Sequence, residues 1–344
     1  MGIFMKKIVL LATALAMVSG SALAADMAVK AVKAPPVAAF DPWDFAFGSA
    51  LMNDYVFRGI TQSNHKPSVA AYFEPRYNIN KDVQLYIGTA GESISFANRA
   101  AAEVDIYGGI RPTIGMFAFD FGVWGYLYPG GQCFGSQGLS VNGNCGGGID
   151  FGVPGVGGLP INGNFAKKSA SFYEGYAKVN ITLNDQFAVG FNEYYSPNFL
   201  NLGAWGNYAS VTGKWTAPST TFGSSGVGMY VSGEFGRQWL GTSDAFYGTG
   251  AIIAAYAAGI PEPSYNTWNI GVGFTYKVFT LDLRYSDTNL SKGACNAFTS
   301  DHTATTASAG SVSAINPGGF ESNWCGATGI VKLSADLTAM TNLK

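Results

Sequence analysis

Charge is scarce in this sequence. Only 12% of its 344 residues are Asp, Glu, Lys or Arg, about half of the ~25% usual in a soluble globular domain. A formal net charge of −2 offers no basic surface to nucleic acid and no strongly acidic one to a basic partner. Histidine is scarcer still, with His65 and His302 alone. That excludes a histidine-rich metal site and thins the case for acid–base catalysis. No G-x-S-x-G elbow accompanies either histidine, so we expect no enzyme, no cofactor and no metal. Also missing is any apolar run of about 18 or more residues, the length a membrane-crossing helix needs. The longest candidate, Tyr247 to Ile260, is too short and is broken by glycine.

What is present begins with an export signal. Lys6-Lys7 precede an apolar run from Ile8 to Val18, and Ala22-Leu23-Ala24 follows as a small-residue cleavage site. This pattern predicts a secretory signal peptide over residues 1–24. Residues 25–42 are rich in Ala, Pro and Lys without periodicity, and we expect an extended leader there. The remaining 43–344 carry a different pattern.

From residue 43 onward the period is 2, the period of a strand. Trp268, Ile270, Val272, Phe274 and Tyr276 alternate with Thr267, Asn269, Gly271, Gly273 and Thr275. After Lys277-Val278 the alternation resumes with Phe279, Leu281, Leu283 and Tyr285, so the two segments read as a hairpin. The same reading predicts strands at 43–57, 67–78, 83–91, 102–114, 117–127, 171–182, 186–195, 206–216, 227–238, 265–276, 279–287 and 329–338. Connections alternate in length. Those after even-numbered strands are tight or moderate, whereas those after odd-numbered strands are longer, up to 128–170 and 288–328. An even strand count with short turns at one end and long loops at the other predicts an all-β, transmembrane, antiparallel up-and-down β-barrel. Its turns would be periplasmic and its loops extracellular.

The two faces differ in polarity as a membrane barrel requires. Val104, Ile106, Ile110 and Ile114 fall on one face of the fourth segment, and Glu103, Asp105, Tyr107, Arg111 and Thr113 on the other. Projecting each segment in this way predicts a lumen lined by Asp54, Arg58, Glu74, Arg76, Asp105, Arg111, Asp120, Glu174, Lys178, Glu234, Asp282, Arg284, Lys332 and Asp336. Tyr55, Tyr77, Tyr126, Tyr128, Tyr194, Tyr195 and Trp239 stand near strand ends, where aromatic girdles meet the lipid interface. At the end of the first segment, Phe57 is expected to face that interface. Arg58 would face the lumen and pair with a carboxylate such as Asp54 or Glu74.

Four cysteines permit three pairings. They fall in two long loops, and in an oxidising compartment the pairing of neighbours in sequence predicts Cys133–Cys145 and Cys295–Cys325. The glycine-rich stretch Gly143 to Asn164 lacks the strand, helix and acidic residue of a nucleotide fingerprint. It reads as loop, and the 128–170 connection as a whole could narrow the path by folding inward.

The stretch from Tyr55 to Glu74 resembles the N-terminal signature of the TorF-type porin family (Gcw_chp), exported proteins of Gram-negative bacteria. The matching residues are Phe57, Arg58-Gly59, Gln62, Ser63 and Pro67. Glu103 to Gly115 and Phe119 to Pro129 are similar to the strands that follow. The chain departs from usual outer-membrane practice by ending TAMTNLK rather than on an aromatic residue. The resemblance implies an outer-membrane, porin-like role, with lipid around the barrel and small hydrophilic solutes or ions passing through it, and it supplies no substrate. The alternatives are a non-channel barrel presenting stapled loops for structural or binding purposes and, third, a lipid-hydrolysing barrel.

Overall fold

Along Trp43–Met52 (β1), Trp43, Phe45 and Leu51 point outward and Asp44, Ala46, Ala50 and Met52 inward. This local alternation repeats around the molecule. The structure is a computed structural model that describes residues 42–132, 140–141, 144–145, 166–248, 256 and 258–343. The further strands of the wall are β2 Ser68–Asn80, β3 Val83–Glu92, β4 Glu103–Ile114, β5 Phe117–Leu127, β6 Phe172–Thr182 and β7 Phe187–Ser196. They continue with β8 Gly206–Thr216, β9 Val227–Leu240, β10 Tyr265–Tyr276, β11 Phe279–Thr288 and β12 Thr328–Thr338. Each pairs antiparallel with its neighbours in sequence, and β12 returns to β1 with Ala46 opposite Thr338 and Met52 opposite Lys332. The ring of twelve is closed.

Strands of 10 to 14 residues match the ~9–11 residues of a tilted membrane strand. The outer wall carries Phe73, Ile87, Ile106, Val123, Phe191, Phe235, Ile270 and Leu333, all exposed. The inner wall carries Glu74, Asp105, Asp120, Glu174 and Asp282, all buried. A soluble barrel has the opposite polarity. Leaving so much apolar surface in water costs about 25 cal/mol per Å², so this wall is built to face lipid, with its backbone groups paired around the ring. Among the described residues no helix is long and apolar enough to cross a membrane.

Glycine explains how twelve strands hold so many inward tyrosines. Tyr107 stands opposite Gly88 and Tyr230 opposite Gly273 in the register. A Cβ at Gly88 would lie 2.3 Å from the Tyr107 ring, and one at Gly273 would lie 2.0 Å from the ring of Tyr230. The rings lie down across the neighbouring strand on bare backbone.

Turns at 81–82, 115–116, 183–186, 217–226 and 277–278 close one end, and the longer connections leave from the other. Two expectations change here. The first strand ends at Met52, where Asn53 caps it by bonding both ways to Val331 of β12. Residues 53–67 then turn into the barrel instead of prolonging its wall. A two-residue hairpin pairs Val56–Phe57 with Ile60–Thr61, and its turn residues Arg58 and Gly59 have φ of 47° and 78°, the left-handed pair of a type I′ turn. At Gly59 a Cβ would sit 2.3 Å from Thr288 Cγ2, so only glycine fits.

The last loop covers this plug. Helix α1 (Lys292–Thr299) is capped by Ser291, and the Cys295–Cys325 disulfide, bridging 30 residues, ties it to the segment entering β12. Thr61 N donates to Trp324 O at 2.9 Å. Ile60, Phe199, Leu202, Tyr247, Ile260, Tyr265, Phe298 and Trp324 pack into one apolar cap over the mouth. The signal peptide, all but the last residue of the leader, the Cys133–Cys145 pairing and most of the Gly143–Asn164 stretch lie outside the described residues.

Candidate functional site

The lumen is the candidate site, and its charges fall into groups at different depths. Nearest the mouth, Arg58 reaches across from the plug to β6 and β9. Its Nη1 donates to Glu174 Oε1 at 2.8 Å and to Gln238 Oε1 at 2.9 Å, and Nη2 donates to Glu174 Oε2 at 2.7 Å. The guanidinium lies 4.4 Å from the Tyr208 ring, 4.6 Å from that of Phe57 and 4.8 Å from that of Tyr194. Burial pulls the arginine's pKa down, but the Glu174 carboxylate outweighs it and raises the pKa overall, so the cation is permanent. Arg58 therefore pairs with neither Asp54 nor Glu74. The inward hairpin carries it past both, and each of those carboxylates has nearer donors. Phe57 is likewise inside, edge-on to Tyr126 at 5.8 Å, and not at the lipid interface.

Asp54 anchors the plug's own turn. It accepts from Thr61 Oγ1, from Ser63 Oγ at 3.1 Å and from Thr328 Oγ1 at 3.3 Å. His65 Nδ1 lies 2.7 Å from Asp54 Oδ2, and its Nε2 lies 2.8 Å from Asn323 O. The bond to Asp54 raises the histidine's pKa against partial burial, and the Asn323 carbonyl adds to it. Both ring nitrogens face acceptors, an arrangement that favours the protonated ring.

Beside the plug, β3 and β4 bring together Glu92, Glu103 and Asp105, with one oxygen of each within 4.8 Å of the others. Tyr55 donates to Glu103 Oε1 at 2.7 Å and Tyr128 to Oε2 at 2.9 Å. Glu92 Oε2 and Asp105 Oδ1 have no hydrogen-bond partner. Of the three, Asp105 was in the predicted lumen set and Glu103 on the same polar face of its segment. Glu92 shares the parity of Tyr86 and Ala90 along its strand, and that signal could have found it.

Deeper in the barrel, Arg111 Nη1 and Nη2 bind Glu74 Oε1 and Oε2 at 2.8 and 3.1 Å, and Nε reaches Asp120 Oδ2 at 3.4 Å. Arg76 Nε donates to the same Glu74 at 2.6 Å. The Arg111 guanidinium lies 3.5 Å from the Tyr86 ring centroid, and the Tyr86 hydroxyl bonds Asp120 and Tyr176. Lys178 faces Asp120 in the register and sits 4.4 Å over Tyr176. On the other side of the barrel, on β11, Arg284 bonds Asp282 through Nε at 3.0 Å, Asn269 through Nη1 at 2.5 Å and Ser232 through Nη2 at 2.8 Å. Tyr230 donates to Asp282 at 2.7 Å and Lys332 stands opposite it. Glu234 accepts from Tyr208 at 2.9 Å and from Asn269 at 3.3 Å, and Tyr72 donates to Asp336 at 3.2 Å. Two mixed-charge patches thus face each other across the lumen.

Tyrosines knit these groups, and here the girdle expectation is corrected in part. Tyr77, Tyr195 and Trp239 do face outward, but Tyr55, Tyr126, Tyr128 and Tyr194 are buried inside. Their hydroxyls find partners in the polar lumen that lipid could not offer, which position near a strand end does not reveal.

Residues 37–153, about a third of the chain and spanning β1 to β5, match the model of a family described as bacterial protein of unknown function (Gcw_chp). No curated protein sequence matches the chain. Among solved structures, an outer membrane channel from Pseudomonas putida F1 is similar with a TM-score of 0.41 and 9% identity, over 89% of this chain and 100% of that one. The toluene transporter TodX of P. putida aligns with a TM-score of 0.36 and 13% identity, over 87% and 90% of the two chains. OmpT, an outer membrane protein of Vibrio cholerae, aligns with a TM-score of 0.31 and 10% identity, over 87% and 98%. Scores and identities this low bear on no functional question.

Proposed function

We propose that this protein is an outer-membrane, porin-like barrel that passes small hydrophilic solutes or ions through a narrow polar lumen. The reading rests on one observation, the inverted polarity of a closed wall. An apolar exterior encloses an interior of carboxylates, guanidiniums, amides and phenols that no soluble core would tolerate in such number. Acidic groups outnumber basic ones along that interior, so the path favours cations, and weakly, because most charges are already paired. The plug and the apolar cap set how often the path is open. Conduction in planar bilayers tests this: the refolded barrel is expected to give small, discrete current steps with a modest cation preference. Well-folded protein that carries no current above background would overturn it. That outcome would favour the second reading, a barrel that presents its disulfide-stapled cap as a binding surface, which the close packing of the cap over the mouth supports.

A further inference from the structure

We propose that Glu92, Glu103 and Asp105 form a binding site for a hard divalent cation of the calcium class, set in the inner wall beneath the extracellular cap. Three carboxylates converge there, and Glu103 and Asp105 are each only 2% exposed. Elsewhere along the wall the carboxylate clusters contain their own arginine, as Glu74 has Arg111, Glu174 has Arg58 and Asp282 has Arg284. Here, among the described residues, no Arg or Lys ion pair reaches any of the three. The hydroxyls that arrive, Tyr55 and Tyr128, both bind Glu103, and the Trp124 indole N–H stands near Asp105 without completing a hydrogen bond. That leaves Glu92 Oε2 and Asp105 Oδ1 unpartnered in a buried setting, where bare carboxylate oxygens are costly.

A cation resolves both the repulsion and the missing partners. Calcium binds oxygens at about 2.4 Å, so the oxygens around one ion stand up to about 4.8 Å apart, and each of these three carboxylates offers an oxygen within that limit of the other two. Magnesium demands a tighter octahedron near 2.1 Å and keeps its waters. Zinc and copper prefer the nitrogen and sulfur ligands that this cluster lacks. The tyrosines act behind the ligands: each hydroxyl fixes one Glu103 oxygen while leaving it lone pairs for the ion. Since Tyr55 belongs to the plug and Tyr128 to the loop after β5, an ion here would tie two loops to β3 and β4.

Terbium(III) luminescence on the full-length barrel refolded in detergent tests the site, because Tyr55, Tyr128 and Trp124 are close enough to sensitise the ion. Excitation of the aromatics is expected to give terbium emission that calcium displaces, and a chelator is expected to lower the unfolding temperature of the wild type. Asp105→Asn and Glu92→Gln should each weaken terbium affinity by about tenfold or more, as should Tyr55→Phe by a similar factor through the ligand it holds. Both carboxylate variants should lose the chelator response. The inference is overturned if wild type gives no calcium-displaceable emission, or if the variants retain it, which would place the ion on exposed acids elsewhere. It is equally overturned if a carbonyl band of protonated carboxylic acid in the infrared spectrum disappears in Asp105→Asn and is unaffected by calcium in wild type. That result would mean the cluster is relieved by protons. Should Asp105→Asn fail to fold, Glu92→Gln and the wild-type displacement still decide the question.

Discussion

At the scale of single residues, Arg58 joins the plug to the wall through charge, amide and ring contacts. Its bidentate bond to Glu174 is nearly free of solvent, with side-chain exposures of 5% and 0%. Removing one partner of such a pair strands the other charge in a low-dielectric setting. Arg58→Ala should therefore cost about 3–5 kcal/mol, read from urea unfolding in detergent. Glu174→Gln in the same background should recover part of the loss, since the stranded carboxylate is then gone. Arg58→Lys should not recover it, because a single ammonium cannot span both carboxylate oxygens. Titration acts on the cap through two further residues. His65 has its pKa raised by Asp54, and Glu262, buried in the loop after β9, is pushed by burial from 4.5 up to about 8. Both folded-state values lie above the unfolded ones. Each contribution is therefore full below the unfolded value and is lost as pH rises through the folded one. The unfolding temperature is expected to fall from mildly acidic pH to about pH 8, and Glu262→Gln should flatten that slope while leaving the share due to His65.

At the scale of elements, the last loop depends on its disulfide. The Cys295–Cys325 bond closes a loop of 30 residues, and in the chain-entropy account a loop of that size is worth about 3–4 kcal/mol. Cys295→Ser with Cys325→Ser should lower stability by an amount of that order, and a reductant should cost the double variant less than it costs wild type. Elements are also where the sequence is most legible. Every strand of the wall was readable by its alternation, because lipid on one side and a polar lumen on the other mark opposite faces of the same strand. The first strand's end was not. Val56-Phe57-Arg58 continues the alternation, yet those residues form a hairpin inside the barrel, and alternation records two differing faces without saying which strand lies alongside. Only Arg58-Gly59, a pair suited to a type I′ turn, marked the reversal. The partners of Arg58 were unreadable for a related reason, since Glu174 and Gln238 lie 116 and 180 residues away and meet it only when the ring closes.

For the whole molecule, if the barrel conducts as proposed, strand number and plug together set the size of the path. Eight strands leave room for side chains alone, and 16 to 18 enclose an open water channel. Twelve lie between, and here the interior is further narrowed by tyrosines lying across glycines and by the 53–67 segment. If that segment is the main constriction, its removal should raise conductance without changing the sign of selectivity, because the acidic groups that set the sign belong to the wall. Deleting residues 56–61 alone would leave Glu174 buried without Arg58, so the deletion is best combined with Glu174→Gln. The combined variant is expected to conduct more per opening than wild type, with the reversal potential in a salt gradient still on the cation side. Unchanged conductance in a folded barrel would place the constriction deeper, at the Arg111–Glu74 and Arg284–Asp282 patches. In that case Arg111→Ala, which opens the narrower level, is the substitution that should raise the current.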